Sequence, residues 1–261
     1  MKTPFYKYQG AGNDFIMIDN RRMGIDHHQP ELIARLCDRR FGVGGDGIMF
    51  LQDRNGYDFE MVYYNADGQP SSMCGNGGRC IVAFARFLGI INDGTNFLAV
   101  DGPHHAKISE DGDWVSLQMI DVDHIDEDGD AYVLDTGSPH YVKMVAGLAG
   151  KDVYHDGYAI RNSHSYKTKG INVNFVEPTV DGFFVRTYER GVEDETYACG
   201  TGATAVALAM ARHQQQTGHI TTPVKVLGGD LKIHFDYNGK VFNNIYLEGP
   251  ARQVFSGEIE I

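Results

Sequence analysis

No stretch of this 261-residue sequence approaches the roughly 18 consecutive apolar residues of a membrane span, and the opening MKTPFYKYQG carries no apolar signal segment. A soluble, cytoplasmic protein is expected. Basic charge is scarce as well: 23 Lys and Arg stand against 35 Asp and Glu, and no basic run exceeds two residues, which argues against a nucleic-acid partner. With only four cysteines and no secretion signal, a disulfide framework is not expected, so any cysteine that matters should matter as a thiol. Metal-ligand spacing is missing too. There is no CxxC, and the adjacent pairs His27-His28 and His104-His105 read as solvent-facing turns, so no metal site is expected. What remains is ordinary globular composition, 42% apolar and 22% charged, with length enough for two lobes of about 130 residues.

Glycine is plentiful, 32 residues or about 12% against a usual 7% or so, and much of it falls in short clusters. The clearest is MCGNGGRCIVAFARFLG from Met73, and a second is ACGTGATAVALAMARHQQ from Ala198. Both read Cys-Gly-x-Gly at the head of an apolar helix, and Cys74 and Cys199 are separated by 125 residues, nearly half the chain. Sliding the sequence on itself by that offset gives nine identities in 66 positions, from Gly12/Gly137 to Gly77/Gly202, against about four expected by composition. The rare residue shared within one motif points to an internal duplication. Both helices are apolar nearly all round, which places each at the centre of its own lobe.

The surrounding sequence reads as short strands at 14–18, 47–51, 58–64, 97–100, 115–119, 141–144, 171–176, 183–188, 225–227 and 232–237, with one amphipathic helix from Glu31 to Arg39. The expected fold is α+β: two pseudo-symmetric lobes, each a mixed, mostly antiparallel, barrel-like sheet around a buried helix. One lobe comprises residues 1–121 with a C-terminal strand at about 252–261, the other residues 130–251. Asp121–Asp130 between them has the wrong Gly and Glu positions for a calcium loop and reads as a solvated linker.

A cysteine just before a helix faces unpaired N–H groups and the positive end of the helix dipole, which stabilise a thiolate. If the lobes face one another, Cys74 and Cys199 would approach one carbon from opposite sides. One ionised and one protonated thiol could then remove a proton from one face and return one to the other, which is racemisation or epimerisation. Cys37 and Cys80, inside their helices, read as small buried hydrophobes. The loop Gly42–Gly47 lacks the Lys-Ser/Thr of a phosphate-binding loop. None of the ten lysines lies in either Cys motif, so a pyridoxal Schiff base has no evident anchor and no cofactor is expected.

GAGNDF (Gly10–Phe15), FGVGGDG (Phe41–Gly47), YYNADG (Tyr63–Gly68), MCGNGGRC (Met73–Cys80), GSPH (Gly137–His140), INVNF (Ile171–Phe175), YERG (Tyr188–Gly191) and ACGTGA (Ala198–Ala203) together resemble diaminopimelate epimerase. The resemblance implies a cofactor-independent, two-base isomerase that interconverts LL- and meso-2,6-diaminopimelate, an intermediate of lysine and peptidoglycan synthesis, and it implies a homodimer. It further implies Cys74 and Cys199 as the bases, supported by His140 and Glu189. Substrate would be bound by Asn13, Asn65, Gly75, Asn76, Ser138, Asn172, Glu189, Arg190, Gly200 and Thr201. Ser138 stands where the family usually has Asn, which removes an amide donor. Asp194 and its neighbours between Arg190 and Cys199 form a stretch one residue longer than expected. Two other readings use the same residues: a racemase of histidine or proline type with an altered distal pocket, and a non-catalytic dithiol redox sensor, which would not need the Asn and Arg set.

Overall fold

The computed structural model describes residues 2–71 and 73–261, and the chain divides into two compact units, one running to Leu117 and including Gly249–Ile261, the other spanning Gln118–Glu248. The first contains β1 (Lys2–Gly10), β2 (Asn13–Asp19), α1 (Pro30–Cys37), β3 (Gly47–Gln52), β4 (Phe59–Asn65), α2 (Gly75–Phe87), β5 (Gly94–Ala99), β6 (Gly102–Ile108) and β7 (Trp114–Gln118). The second contains β8 (Asp126–Asp128), β9 (Ala131–Asp135), β10 (Pro139–Met144), α3 (Val153–Arg161), β11 (Asn172–Pro178), β12 (Phe183–Glu189), β13 (Asp194–Thr196), α4 (Gly200–His213), β14 (Gly218–Val226), β15 (Gly229–Tyr237) and β16 (Phe242–Pro250). The last strand, β17 (Arg252–Glu260), pairs antiparallel with β1.

Described separately, the units have the same plan. In the first, β1 and β2 are antiparallel, β2 and β3 parallel, β3 and β4 antiparallel, β4 and β5 parallel, and β5, β6 and β7 antiparallel. In the second, β9, β10, β11, β12, β14, β15 and β16 repeat that order of parallel and antiparallel pairings. The register of the parallel pair is itself duplicated: Phe15 faces Gly47, and His140 faces Asn172, each 125 residues on. The repeat slips by one residue in the next pair, where Ile48 faces Tyr64 but Val173 faces Tyr188. The two-lobed, sheet-rich α+β class expected from the sequence is therefore the class observed.

Each core is a helix enclosed by sheet. Every residue of α2 from Gly75 to Ala85 is buried, as is every residue of α4 from Gly200 to Ala211 except Thr201, so neither helix has a polar stripe. Small residues let the sheet approach closely. A Cβ on Gly77 would lie 2.1 Å from Cε of Met49, and one on Gly202 would lie 2.3 Å from Oδ1 of Asn174. Strands β2 and β3 are buried on both faces and read as continuous apolar runs, whereas β14 and β15 alternate buried and exposed positions.

Three expectations need correction. Asp121–Asp130 is solvated except at Val122 and Ile125, but it is not a linker between the units: it lies within the second one, Val122 bridges to Phe242, and Asp126–Asp128 is strand β8, paired with β9. His104 and His105 lie within β6 and bond to Asp101 and Asn96, while His27 bonds to the Tyr64 hydroxyl at 2.7 Å, so these pairs are not open turns. Several strands, among them β1, β6, β9 and β16, and the helix α3 lie outside the segments expected.

Candidate active site

Cys74 and Cys199 are the N-caps of α2 and α4, and their backbones nearly coincide, with φ/ψ of −110°/126° and −114°/110°. Neither helix has an acidic residue in its first turn. In each, the first hydrogen bond closes onto the cap carbonyl, from Gly78 N to Cys74 O at 2.7 Å and from Ala203 N to Cys199 O at 2.9 Å. The preceding N–H groups, those of Gly75 and Asn76 and of Gly200 and Thr201, have no acceptor within their helices and are oriented to bind an anion. Cys74 is half-buried and Cys199 buried.

Around α2 the side chains form one continuous polar chain. Gly10 and Asn13 flank a two-residue hairpin, Ala11-Gly12, in which both residues have positive φ (52° and 95°), and this turn carries Asn13 to the head of the helix. Asn13 Nδ2 donates to Asp46 Oδ2 at 3.0 Å, so its Oδ1 accepts from Asn76 Nδ2. Asn76 Oδ1 in turn accepts from the Arg79 guanidinium at 2.9 Å. With an acceptor-only carboxylate at one end and a donor-only guanidinium at the other, every amide orientation is determined. Arg39 bridges Asp14 and Asp46, and buried Lys7 pairs with Asp14 at 2.8 Å and donates to Gly44 O. Burial raises the Asp14 pKa, but hydrogen bonds from Arg39 and Lys7 outweigh it and bring the carboxyl to about 2. Asn65 ends β4 opposite Gly47.

Around α4 the corresponding links are neutral. Asn174 Nδ2 donates to Tyr141 O at 3.1 Å, a bond that can run only one way, and the same NH2 faces His140 Nδ1 at 3.1 Å. His140 Nδ1 is thus the acceptor, and the imidazole proton sits on Nε2. Asn174 Oδ1 accepts from Thr187 Oγ1 at 3.0 Å. Burial, reinforced by the charge of Arg190, pushes the His140 pKa down to about 3, so the ring is neutral. Its Nε2 is buried with no hydrogen-bond partner among the described residues. A Cβ at Gly202 would touch both Asn174 Oδ1 and, at 3.3 Å, Cys199 Sγ, which places Asn174 close to the thiol. Cys199 Sγ and Thr201 Oγ1 share a 3.4 Å hydrogen bond.

Ser138, Asn172 and Arg190 come together. Asn172 Oδ1 accepts from the Arg190 backbone N–H at 2.9 Å, and its Nδ2 donates to Pro139 O and to Ser138 Oγ. Arg190 also donates to Ser138 Oγ at 3.2 Å. Both lone pairs of the serine oxygen are thereby used, and its O–H is left to donate, so the position keeps one donor although the amide is gone. Glu189 ends β12 opposite Asp194, and the longer stretch after it is absorbed by a turn in which Gly191 and Glu193 have positive φ. Sequence reasoning passed over Asp46, Arg39, Lys7 and Arg79. Asp46 was visible as the one charged residue of the GVGGDG loop, and Arg79 as the one charged residue of α2's first two turns. A surface groove lined by Thr179, Val180, Asp181, Gln216 and His219 holds none of the expected site residues.

A family model described as diaminopimelate epimerase matches residues 5–125 and 132–254. Diaminopimelate epimerase of Flavobacterium psychrophilum is 51% identical over 97% of this chain and 99% of its own, and that of Chlorobaculum tepidum is 42% identical with the same coverage. Among solved structures, a phenazine biosynthesis protein of the PhzF family from Bacillus anthracis superposes with a TM-score of 0.79 at 14% identity, covering all of both chains. A probable proline racemase from Agrobacterium radiobacter gives 0.72 at 13% identity, covering 99% of this chain and 93% of that one. At such identities these structures speak for the fold alone.

Proposed function

The chain belongs to the diaminopimelate epimerase family, and we propose that it interconverts LL- and meso-2,6-diaminopimelate without a cofactor, using Cys74 and Cys199 as its two bases. The observation that carries this reading is the pair of equivalent N-cap cysteines, each followed by the glycine-rich first turn of a buried helix. One thiolate takes the α-proton from one face of the carbon while the opposite thiol gives its proton to the other face. The enzyme thereby ends the turnover with the ionisation of the two sulfurs exchanged. Negative charge that builds on the α-carboxylate is met by the N–H groups of Gly75, Asn76, Gly200 and Thr201, fixed dipoles that need no reorganisation.

The distal end of the substrate carries another ammonium and carboxylate. Arg190, the Ser138 hydroxyl and the amides of Asn13 and Asn65 suit the carboxylate, Asn172 serves the same end by holding Arg190 and Ser138 in place, and Glu189 suits an ammonium. His140 is neutral and supports the centre as an Nε2–H donor, not as an imidazolium acid. The small amino-acid substrate, the acidic charge balance and the lack, among the described residues, of a helix long and apolar enough to cross a membrane support a cytoplasmic enzyme with no nucleic-acid or membrane partner. A homodimer is part of the same reading, and exposed Phe87, Val254 and Phe255 offer apolar surface for it.

Optical rotation of LL-diaminopimelate, histidine and proline, followed with enzyme extensively dialysed, tests the proposal. Rotation should decay with LL-diaminopimelate alone, and Cys74→Ala or Cys199→Ala should slow it at least 10²–10⁴-fold, roughly the worth of one positioned acid or base. Turnover of histidine or proline at comparable rate, dependence on added pyridoxal phosphate, or an active Ala variant would contradict it.

A further inference from the structure

Arg79 is fully buried on α2, and among the described residues it has no carboxylate within ion-pair distance. Its side chain folds back along the helix, as long side chains on helices do, and donates to Gly75 O at 3.2 Å and to Asn76 Oδ1 at 2.9 Å, both neutral acceptors. Its Nε has no hydrogen-bond partner among the described residues. A guanidinium stays protonated in proteins. A permanent cation is therefore held against the first turn of a helix, where the dipole is already positive and no acidic residue stands. Burying a charge this way is costly unless an anion lies close by.

Two groups nearby can supply one. Burial pulls the Arg79 pKa down, and the charges that raise it back are those of Cys80 and then Cys74. Cys80 is fully buried, and its thiol is pushed up to about 12, chiefly by burial, so it remains protonated at neutral pH. The carboxylates nearby are engaged elsewhere, Asp14 on β2 with Lys7 and Arg39 and Asp46 with Arg39 and Asn13, and of the tyrosines on β1 Tyr8 bonds Gln253 while Tyr6 packs its ring on Phe84 and Phe87. Cys74, the cap of the same turn, is left.

The second unit lacks this feature. The residue equivalent to Arg79 is Thr204, whose hydroxyl donates to Gly200 O at 3.0 Å, just as Arg79 donates to Gly75 O. Beside Cys199 stand the Thr201 hydroxyl and, across Gly202, the Asn174 amide, which faces neutral His140, while Arg190 is turned onto Lys169 O and Ser138. We propose that Arg79 is the counter-charge of a Cys74 thiolate, so that before substrate arrives Cys74 is the ionised sulfur and Cys199 the protonated one. This rests on the reading of both thiols as bases and adds a direction to it: the resting enzyme is poised to take a proton with Cys74. Arg79 touches no reacting atom and acts through Cys74.

Alkylation by iodoacetamide across about pH 5–10, read peptide by peptide in the mass spectrometer, tests this without turnover. The pH midpoint of each profile reports ionisation, while access to the sulfur alters only its height. In the parent enzyme the Cys74 midpoint should lie below that of Cys199. Arg79→Gln should raise the Cys74 midpoint by about one to three pH units, leave that of Cys199 in place, and be largely reversed by Arg79→Lys. An unmoved Cys74 midpoint in a folded Arg79→Gln enzyme, with only KM raised, would overturn the proposal and leave Arg79 as a substrate anchor. Should Arg79→Gln not fold, the parent decides, since coincident or reversed midpoints overturn it. Midpoints that contradict this inference while both Ala variants remain inactive would leave the two-base reading standing.

Discussion

Against the first turn that Cys74 caps the sheet packs Met49, beside Phe15's strand, and against the turn that Cys199 caps it packs the residue at the same position of the repeat, Asn174, which is bonded to His140, the counterpart of Phe15. In the helices the contrast runs the other way, with charged Arg79 in α2 and neutral Thr204 in α4. The backbone frame has thus been kept, down to the register of one strand pair and the dihedral angles of the caps, while the side chains around the two thiols have diverged into a charged set and a neutral set. A symmetric scaffold with two identical thiols would have no preferred direction for the proton. The divergence supplies one, because a buried cation favours thiolate and a neutral surround favours thiol.

The contrast can be sharpened with acid. In the folded protein His140 binds its proton only near pH 3, whereas in the unfolded chain it does so near 6.5, so its contribution to stability is complete above pH 6.5 and is lost as pH falls toward 3. Asp14 has its folded pKa at about 2 against 3.8 ordinarily, so its contribution is complete above about 3.8 and is lost only as pH falls toward 2. At roughly 1.4 kcal/mol per pH unit, lowering pH from 7 to 5 should cost about 2 kcal/mol through His140 and almost nothing through Asp14. Urea unfolding at the two pH values measures this. His140→Gln should flatten the loss, and Asp14→Asn should change the curve only below about pH 4. Equal slopes in parent and His140→Gln would show that the imidazole is not held neutral by burial.

A smaller effect is expected at Ser138. Because its O–H already replaces one donor of the missing amide, Ser138→Asn should shift KM by a few-fold to about tenfold, the worth of one hydrogen bond, and leave kcat close to the parent value. Steady-state kinetics with LL-diaminopimelate would decide, and a collapse of kcat would place Ser138 at the reacting centre.

How much of this could be read from the sequence depended on whether the side chains obeyed the period of their element. The helices α2 and α4 were legible because Cys-Gly-x-Gly is followed by residues apolar all round, and β2 and β3 because their apolar runs are unbroken. Strand β1 was hidden by Pro4 and by Lys7, a charged residue at an inward position. Helix α3 was hidden by Gly157, which is there because a Cβ would come within 2.3 Å of Tyr188. Strand β16 carries Asn244 at φ 50°, which breaks the alternation of Phe242, Ile245 and Leu247. The cysteines and the Ser138–Asn172–Arg190 group were found by motif. Arg79 was not, because arginine is almost never fully buried, and nothing local to a sequence says that one is.

The claim on which everything else depends is that each thiol serves one face of one carbon, and solvent isotope tests it most directly. A turnover begun in deuterated water hands the substrate's proton to one cysteine and draws its replacement from the other, which has already exchanged with solvent. Product isolated early from LL-diaminopimelate should therefore carry deuterium at the inverted carbon, while recovered substrate carries almost none. Product that keeps its original hydrogen would mean a single shared base and would contradict the account.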